Sequence, residues 1–176
     1  MPDLKIPEEI LRRRSVRAFT GEDLSDAEVD KLIEAACLAP SAGNNQPWGF
    51  VLVRDDETKR RLVEAAHGQS FIGEAPVVIV VCADPDRTTP RYGERGLSLY
   101  CIQDTAAAIE NILLTAAYNG LGACWIGAFD EAAAAEAVGL PKNVRPVAMI
   151  PVGHLAQNPE RRPRRGLSEV VHRGRW

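Results

Sequence analysis

Residues 75–83 form the stretch that most limits the possible folds. The sequence there is Ala-Pro-Val-Val-Ile-Val-Val-Cys-Ala, a nearly unbroken apolar run rich in β-branched side chains. A run of this composition and length is typical of a strand that is buried on both faces. We therefore expect residues 75–83 to form a central strand of a sheet.

Apolar side chains at intervals of three and four residues, together with residues that start or cap helices such as Pro7, Asp130 and the capping-box pair Ser25 and Glu28, predict helices along the rest of the chain. These helices are expected at Pro7–Leu11, from Ser25 to Pro40, from Asp55 or Asp56 to Gly68, at Tyr100–Asn119 and from Asp130 to Gly139. Shorter runs predict strands at Phe50–Val53, Val147–Val152 and Leu167–Val171. The segment Asp84–Leu97, rich in Pro, Gly and Arg, is expected to be a loop.

Length, composition and charge exclude several classes of protein. The chain has 176 residues, of which 45% are hydrophobic, so we expect one domain spanning residues 1–176. A net charge of -3 argues against a nucleic-acid partner. Neither a signal peptide nor an apolar run long enough for a membrane span is evident, so a cytoplasmic protein without membrane association is expected.

The cysteine and histidine positions argue against a metal site. Cys37, Cys82, Cys101 and Cys124 lie far apart, and no Cys-x-x-Cys spacing occurs. The three histidines also lack the spacings of zinc ligands. We expect four buried, reduced thiols and no bound metal.

Arginine is concentrated in one short segment, Arg12–Phe19, with the sequence Arg-Arg-Arg-Ser-Val-Arg-Ala-Phe. Guanidinium groups bind phosphate oxygens two at a time, and a neighbouring serine hydroxyl can add a hydrogen bond. The segment therefore predicts a phosphate site. The alternative is a solvated charged face at the end of a short helix.

Turn-forming residues and amides fill the segment Pro40–Trp48, Pro-Ser-Ala-Gly-Asn-Asn-Gln-Pro-Trp, which we call the amide loop. Side-chain amides carry both donors and an acceptor, so Asn44, Asn45 and Gln46 suit the edge of a heterocycle. Alternatively, these amides bond their own backbone in a helix-to-strand turn.

Two later segments carry further signals. Gly120–Gly127 is Gly-Leu-Gly-Ala-Cys-Trp-Ile-Gly, which fails the dinucleotide fingerprint because Trp125 stands where its third glycine should be. Near the end, Glu160–Arg165 is Glu-Arg-Arg-Pro-Arg-Arg, a second basic cluster. It is either an anion site or a flexible basic tail.

These four segments, taken in order, resemble the nitroreductase family of flavin enzymes, and the resemblance covers essentially the whole chain. It implies an α+β fold in which a mainly antiparallel central sheet is flanked by helices. It also implies an intertwined homodimer with two FMN sites at its interface. In such a dimer the long helix Tyr100–Asn119, which is apolar on two faces, packs against the partner subunit rather than only inside one chain.

The resemblance also assigns residues to the cofactor. Arg13, Arg14 and Ser15 would hold the FMN phosphate together with Arg162 and Arg164, while Arg161 and Arg165 fit that spacing less well. Arg17 would approach the pyrimidine side of the flavin and stabilise the reduced ring. The remaining predicted contacts are Pro40, Ser41, Ala42, Asn44, Gln69, Ile126 and Gly127. Ala42 departs from the serine that is commoner in the family.

The implied activity is electron transfer from NADH or NADPH to a nitroaromatic, quinone or similar small acceptor by a ping-pong mechanism. The flavin would carry the chemistry, so no catalytic side chain is expected. Arg91, Tyr92 and Arg95 lie in the segment that flanks the substrate face in the family, although a solvated loop is the alternative.

Other functions remain compatible with the sequence. Some relatives with this fold use flavin for dehalogenation or for flavin breakdown. The chain could also be a regulator that binds FMN or a nucleotide without turnover. A structural dimer with solvated arginine clusters would bind no cofactor at all.

Overall fold

The computed structural model describes residues 3–176. Its helices are α1 (Glu8–Arg12), α2 (Asp26–Cys37), α3 (Asp56–Ala65), α4 (Phe71–Glu74), α5 (Thr89–Arg95), α6 (Cys101–Tyr118), α7 (Glu131–Ala137) and α8 (Leu167–Val170). Its strands are β1 (Trp48–Val53), β2 (Val77–Ala83), β3 (Leu121–Ala123) and β4 (Arg145–His154). Single turns of 3₁₀-helix cover Ala42–Asn44 and Pro85–Arg87, and a π-helical turn covers Gly96–Tyr100.

The four strands form one sheet in the order β1-β2-β4-β3, and each neighbouring pair is antiparallel. Trp48 faces Ala83, Val77 faces Val152 and Leu121 faces His154. The structure therefore confirms the α+β fold with an antiparallel central sheet.

Helices cover both faces of this sheet. On one face, Ile79 and Ile150 pack with α2 and α6 in a cluster that includes Leu32 and Ile109. On the other face, Val80 packs with residues of α3, α4 and α7. Every residue of β2 is buried, which confirms the prediction of a central strand that is covered on both sides.

Helix α6 is largely buried within its own chain. Ile109 and Ile112 are fully buried, and the Asn111 side chain donates a hydrogen bond to the carbonyl oxygen of Ala35 in α2, at 2.9 Å. A stripe that includes Gln103, Glu110 and Tyr118 stays exposed. The burial of α6 therefore does not by itself require a second subunit.

Helix starts follow the predicted capping residues. In α2 the backbone N–H of Ser25 donates to the Glu28 carboxylate at 2.8 Å, and the N–H of Glu28 donates to Ser25 Oγ at 3.3 Å. The Ser25 hydroxyl also donates to the Glu28 carboxylate at 2.7 Å, and this bond together with that from the Ser25 N–H lowers the pKa of Glu28. Asp55 and Asp130 accept from backbone N–H groups in the first turns of α3 and α7.

Three predictions from the sequence are wrong. The segment expected to be a loop at 84–97 is mostly helical, because Asp84 caps its first turn and Pro85 fits that turn. The segment 167–171 is not a strand: it forms the exposed helix α8, and the N–H of Gly166, just before the helix, donates to the Glu169 carboxylate at 2.7 Å. Cys37 is exposed at the end of α2, whereas the other three cysteines are buried.

None of the helices in the described range is long and apolar enough to cross a lipid bilayer.

Candidate active site

The arginine segment lies along the β3 edge of the sheet. Ser15 forms a parallel bridge with Ala123, and the N–H of Val16 donates to the Ala123 carbonyl at 3.0 Å. Val16 is 2% exposed and anchors the segment. Because neighbouring side chains alternate along an extended chain, Ser15 and Arg17 point away from that core contact. Arg17 Cζ lies 5.8 Å from the ring centre of Phe71.

The two arginine clusters meet in one open cavity of about 480 Å³. We call it the arginine cavity. Its lining residues are Ile10, Arg13, Arg14, Ser15, Arg17, Glu110, Pro159, Glu160, Arg161, Arg162 and Arg164. Six guanidinium groups thus face two carboxylates, so the cavity attracts an anion. Arg165 is not among the lining residues, whereas Arg162 and Arg164, the predicted phosphate ligands, are.

Local hydrogen bonds position some of these guanidinium groups. Arg14 Nη1 donates to the carbonyl oxygens of Leu11 and Arg13, at 2.7 and 2.8 Å. Arg164 Nη1 donates to the Arg162 carbonyl at 3.1 Å. Arg13 Nε stands 3.9 Å from the Glu110 carboxylate. The other N–H groups of each fork remain available to an anion.

The segment after β3 exposes backbone beside this edge. Ile126 and Met149 exchange two backbone hydrogen bonds of 3.0 Å, so the Ile126 N–H is already bound within the sheet. At Gly127 a Cβ atom would meet no atom nearer than Trp125 Nε1, at 4.0 Å. An open face of backbone therefore lies at Gly127.

Gln69 ties the end of α3 to this same segment. Its Nε2 donates to the Ala66 carbonyl at 3.1 Å and to the Ala128 carbonyl at 3.2 Å. Because both amide hydrogens are directed to backbone, the side-chain carbonyl oxygen is the group that Gln69 can offer to a ligand.

A buried thiol lies under the arginine segment. Cys124 is 1% exposed, and burial raises its pKa, although the charge of Arg17 and a hydrogen bond from Ser15 oppose that rise. Burial likewise raises the pKa of Cys82 to about 12. Both thiols are therefore protonated at neutral pH and are poor nucleophiles.

The amide loop lies at the other edge of the sheet, where it leads into β1. The N–H of Gln46 donates to Ser41 Oγ at 3.0 Å, and Gln46 Nε2 donates to Asn44 Oδ1 at 3.3 Å. Asn44 and Gln46 have the positive φ angles of tight turns, +56° and +50°. The loop therefore makes some of the internal bonds that were the alternative to ligand binding.

Asp104, in α6, contacts the amide loop. It was not predicted from the sequence as a site residue. Its Oδ1 accepts a hydrogen bond of 3.1 Å from the N–H of Ala42. The residue is 7% exposed, and its Oδ2 has no partner within the described residues. Burial raises the pKa of Asp104. The only signal in the sequence was a carboxylate in an otherwise apolar part of a long helix.

The two groups of predicted site residues do not meet within one chain. The arginine segment pairs with the outer edge of β3 and the amide loop leads into β1, so four inter-strand spacings separate them, about 19 Å. Along the strands, Trp48 is level with Arg145 and Ala123 is level with Val152, a further offset of about 23 Å. One group, which we call the arginine group, consists of Arg13–Arg17, Gln69, Ile126, Gly127, Arg162 and Arg164. The other consists of Pro40–Asn44 in the amide loop.

The structure offers no protein metal centre among residues 3–176, since no three His, Cys, Asp or Glu side chains converge there. The arrangement at the β3 edge instead suits an anionic group held by guanidinium side chains, next to backbone that can approach a flat ligand closely.

Comparison with known proteins identifies relatives of the whole chain. The model of the nitroreductase family matches residues 10–70 and 66–154. An NADH dehydrogenase of Thermus thermophilus is 32% identical over 199 aligned positions, which cover 97% of each chain. An oxygen-insensitive NADPH nitroreductase of Salmonella typhimurium is 31% identical over 170 positions, covering 93% of this chain and 71% of that one.

A solved structure is also similar, the NADPH:FMN oxidoreductase of Vibrio harveyi in complex with NAD⁺. Its TM-score is 0.88 at 31% identity, and the match covers 96% of this chain and 76% of that chain. Because the family model spans most of the sequence and these relatives match nearly all of it, the chain belongs to the nitroreductase family.

Proposed function

We propose that the chain is an FMN-dependent oxidoreductase that passes electrons from NADH or NADPH to a nitroaromatic, quinone or similar small acceptor. The observation that carries this proposal is the convergence of two distant arginine clusters on one cavity, at the sheet edge that continues from Ala123 to Ile126 and the open backbone of Gly127. The relatives named above are NADH- or NADPH-dependent oxidoreductases, which supports the same class of reaction.

The residues at the β3 edge fit the parts of FMN. Its phosphate carries the negative charge that the arginine cavity attracts, and Arg13, Arg14, Ser15, Arg162 and Arg164 would hold it. Its flat ring needs a surface without protruding side chains, and Gly127 offers one. When bound, FMN would supply the redox chemistry between the nicotinamide and the acceptor, in a ping-pong sequence.

The protein's own contribution is binding and electrostatics. Arg17 is exposed beside Phe71, and its permanent charge favours added negative charge on a ring bound next to it. The N–H of Gly127 can donate to a ring nitrogen, while the N–H of Ile126 cannot, since it is bound to Met149. No nucleophile is required, and the raised pKa of the Cys124 thiol agrees with that.

We further propose that the active protein is an intertwined homodimer. The arginine group and the amide loop lie at opposite edges of one sheet, so a site that uses both draws them from two subunits. Residues 161–176 are exposed throughout, including Leu167 at 78% and Trp176 at 98%. Apolar side chains left exposed in a terminal segment are typical of a surface that a second subunit covers.

The first test is the visible absorption spectrum of the purified protein, recorded before and after anaerobic addition of NADH and NADPH. We expect flavin bands that bleach with the coenzyme and return with an acceptor, and a released cofactor with the mass of FMN. A colourless protein that does not take up added FMN would overturn the proposal.

Arg17→Ala refines the same experiment. Loss of the positive charge is expected to weaken FMN retention and to slow its reduction by about tenfold or more. Arg60→Ala is the matched control, because Arg60 is exposed on α3 and paired with Glu57 and Glu64. If Arg17→Ala behaves like the control, Arg17 has no role at the flavin.

A further inference from the structure

A third group of arginines lies away from the arginine cavity, on the segment 84–100. Arg87, Arg91 and Arg95 all lie in this segment, but the backbone at Gly93 is not helical (φ 53°, ψ -140°), so aromatic contacts rather than helical spacing bring Arg91 and Arg95 together. Tyr92 and Tyr100 lie between and beside them, with ring centres 5.2 Å apart in an edge-to-face arrangement. We call Arg91, Tyr92, Arg95 and Tyr100 the α5 face.

The α5 face borders the amide loop directly. Arg87 Nε donates to the Asn45 carbonyl at 3.1 Å, which ties the segment to the loop. Arg91 and Tyr92 occupy the space beside Gly43 in the amide loop. A Cβ atom added at Gly43 would lie 2.6 Å from Arg91 Nη1 and 2.6 Å from the Tyr92 hydroxyl. If the amide loop contacts the flavin, as the proposed function requires, these side chains stand at the rim of that site.

Neither arginine of the α5 face is neutralised by a carboxylate. Within the described residues, no Asp or Glu oxygen lies within 4.0 Å of the Arg91 or Arg95 nitrogens, in contrast to the paired Arg60 and Arg145. Glu94 is the one acidic residue of α5. The two guanidinium groups therefore keep both net charge and free N–H donors for a ligand.

Aromatic rings hold these guanidinium groups in place. Arg91 Cζ lies 5.3 Å from the Tyr92 ring centre, and Arg95 Cζ lies 5.3 Å from that of Tyr100. Arg95 Nε also donates to the Tyr100 hydroxyl at 2.9 Å. Stacked guanidinium groups lose less conformational freedom when they bind an anion, because their orientation is set beforehand.

The backbone beneath the face is also fixed. Thr88 is completely buried, and its hydroxyl lies 3.1 Å from the carbonyl oxygens of Pro85 and Gly96. A Cβ at Gly96 would lie 2.9 Å from the Thr88 carbonyl oxygen, so only glycine allows this close approach. A π-helical turn then leads into α6, and such turns are frequent at functional sites.

We propose that the α5 face binds the 2′-phosphate of NADPH and makes the enzyme prefer NADPH over NADH. This inference rests on the proposed function, which brings a reduced nicotinamide to the flavin and leaves the rest of the coenzyme to extend toward the rim. Two fixed, uncompensated guanidinium groups match a phosphomonoester, the group that distinguishes the two coenzymes. Aromatic rings between the arginines provide apolar surface for the adjoining adenosine.

The test measures binding of 2′,5′-ADP and 5′-AMP by calorimetry, and kcat/KM for NADPH and NADH. The wild-type protein is expected to favour 2′,5′-ADP and NADPH by about tenfold or more. Arg91→Gln with Arg95→Gln should reduce both preferences to near unity, through weaker binding of 2′,5′-ADP and a lower kcat/KM for NADPH. Lysine at the same two positions should keep part of the preference, because the charge remains. Arg60→Gln should change nothing.

Two results would overturn the inference. One is a wild-type protein that binds the two adenosine phosphates equally. The other is a glutamine variant that loses NADPH and NADH activity in equal measure, or loses activity toward the acceptor alone. Unfolding temperature and FMN content, measured for each variant, separate a loss of folding from a loss of binding.

The binding measurement also separates this inference from the proposed function. If the enzyme contains flavin but binds 2′,5′-ADP and 5′-AMP equally well, only the role of the α5 face is refuted. A protein without flavin that still binds 2′,5′-ADP through Arg91 and Arg95 refutes the oxidoreductase and supports the phosphate site.

Discussion

At the scale of single residues, a substitution at Gly127 best distinguishes an effect on cofactor binding from an effect on folding. Its backbone does not have the positive φ that only glycine adopts easily, and a Cβ would find open space. Gly127→Ala is therefore expected to leave the stability of the cofactor-free protein within about 0.5 kcal/mol of wild type. The same methyl group would stand where the flavin ring must approach, so FMN affinity should fall by roughly tenfold or more.

Gly122→Ala is the contrasting variant for that experiment. A Cβ there would lie 2.7 Å from Val16 Cγ1, so the arginine segment must shift or the strand must distort. We expect this variant to lose stability as well as FMN affinity, measured by urea unfolding and by fluorescence titration with FMN. If Gly127→Ala binds FMN as tightly as wild type, the ring does not lie against this backbone.

Asp104 gives a prediction about pH. Because burial raises its pKa above the ordinary value of 3.8, the folded protein holds this proton more tightly than the unfolded chain does. The resulting stabilisation is complete below that ordinary pKa and is lost as the pH rises through the raised one. Asp104→Asn cannot ionise, and its side-chain oxygen can still accept from the Ala42 N–H.

The variant should therefore gain stability relative to wild type as the pH rises from about 4 to about 7. Thermal unfolding followed by circular dichroism across that range measures the difference. Asp30→Asn, at an exposed position of α2, is the control and should run parallel to wild type. Parallel curves for Asp104→Asn would mean that Asp104 does not titrate differently in the folded state.

At the scale of helices and strands, the sequence predicted elements well where a buried apolar run or a capping pair marks them. The β-branched run at 75–83 could hardly be anything but a buried strand, and β2 is buried along its whole length. The Ser25–Glu28 spacing placed the start of α2 because both hydrogen bonds of the capping box are local. Antiparallel pairing, by contrast, was implied only by the resemblance to the family, since periodicity carries no strand order.

The helical structure of the segment 84–100 was not predicted from the sequence, because tertiary contacts stabilise it. Pro, Gly and Arg suggested a loop, but the turn is fixed by the buried hydroxyl of Thr88, which contacts two carbonyl groups eleven residues apart in the chain. Such a contact produces no periodic pattern of side chains in the sequence. Helix α8 was missed for the opposite reason: its short apolar run looks like a strand, yet no neighbouring strand is present in this chain to pair with it among residues 3–176.

The candidate site was likewise predictable only in part. The arginine residues and the glycine-rich segment were visible as motifs, and the structure gathers them at one edge. Their separation from the amide loop was not visible, because it depends on the order of the strands. Asp104 carried no motif of its own, and its role follows only from the 3.1 Å hydrogen bond to Ala42.

At the scale of the whole molecule, the strand order indicates how the subunits assemble. The arginine group and the amide loop stand at opposite edges of one sheet, yet the proposed FMN site requires both. A two-fold dimer resolves this, because the loop of each subunit can then reach the arginine group of the other. Each of the two sites is then composite, with one half from each chain.

Mixed dimers test this arrangement directly. One variant, Arg13→Gln with Arg17→Gln, disables the arginine half of the site. The other, Ser41→Asp with Asn44→Asp, places negative charge on the amide loop, and aspartate tolerates the positive φ of position 44. Each homodimer has two defective sites and is expected to retain little FMN.

In the mixed dimer both defects fall in one composite site, and the other site is built entirely from unaltered halves. Two differently tagged chains, co-expressed and purified by both tags, should therefore recover about half of the wild-type FMN content and activity. If each site were instead contained in one chain, every site in the mixed dimer would carry one defect. Recovery to about half establishes the shared site, whereas no recovery would show that each site is contained within one chain.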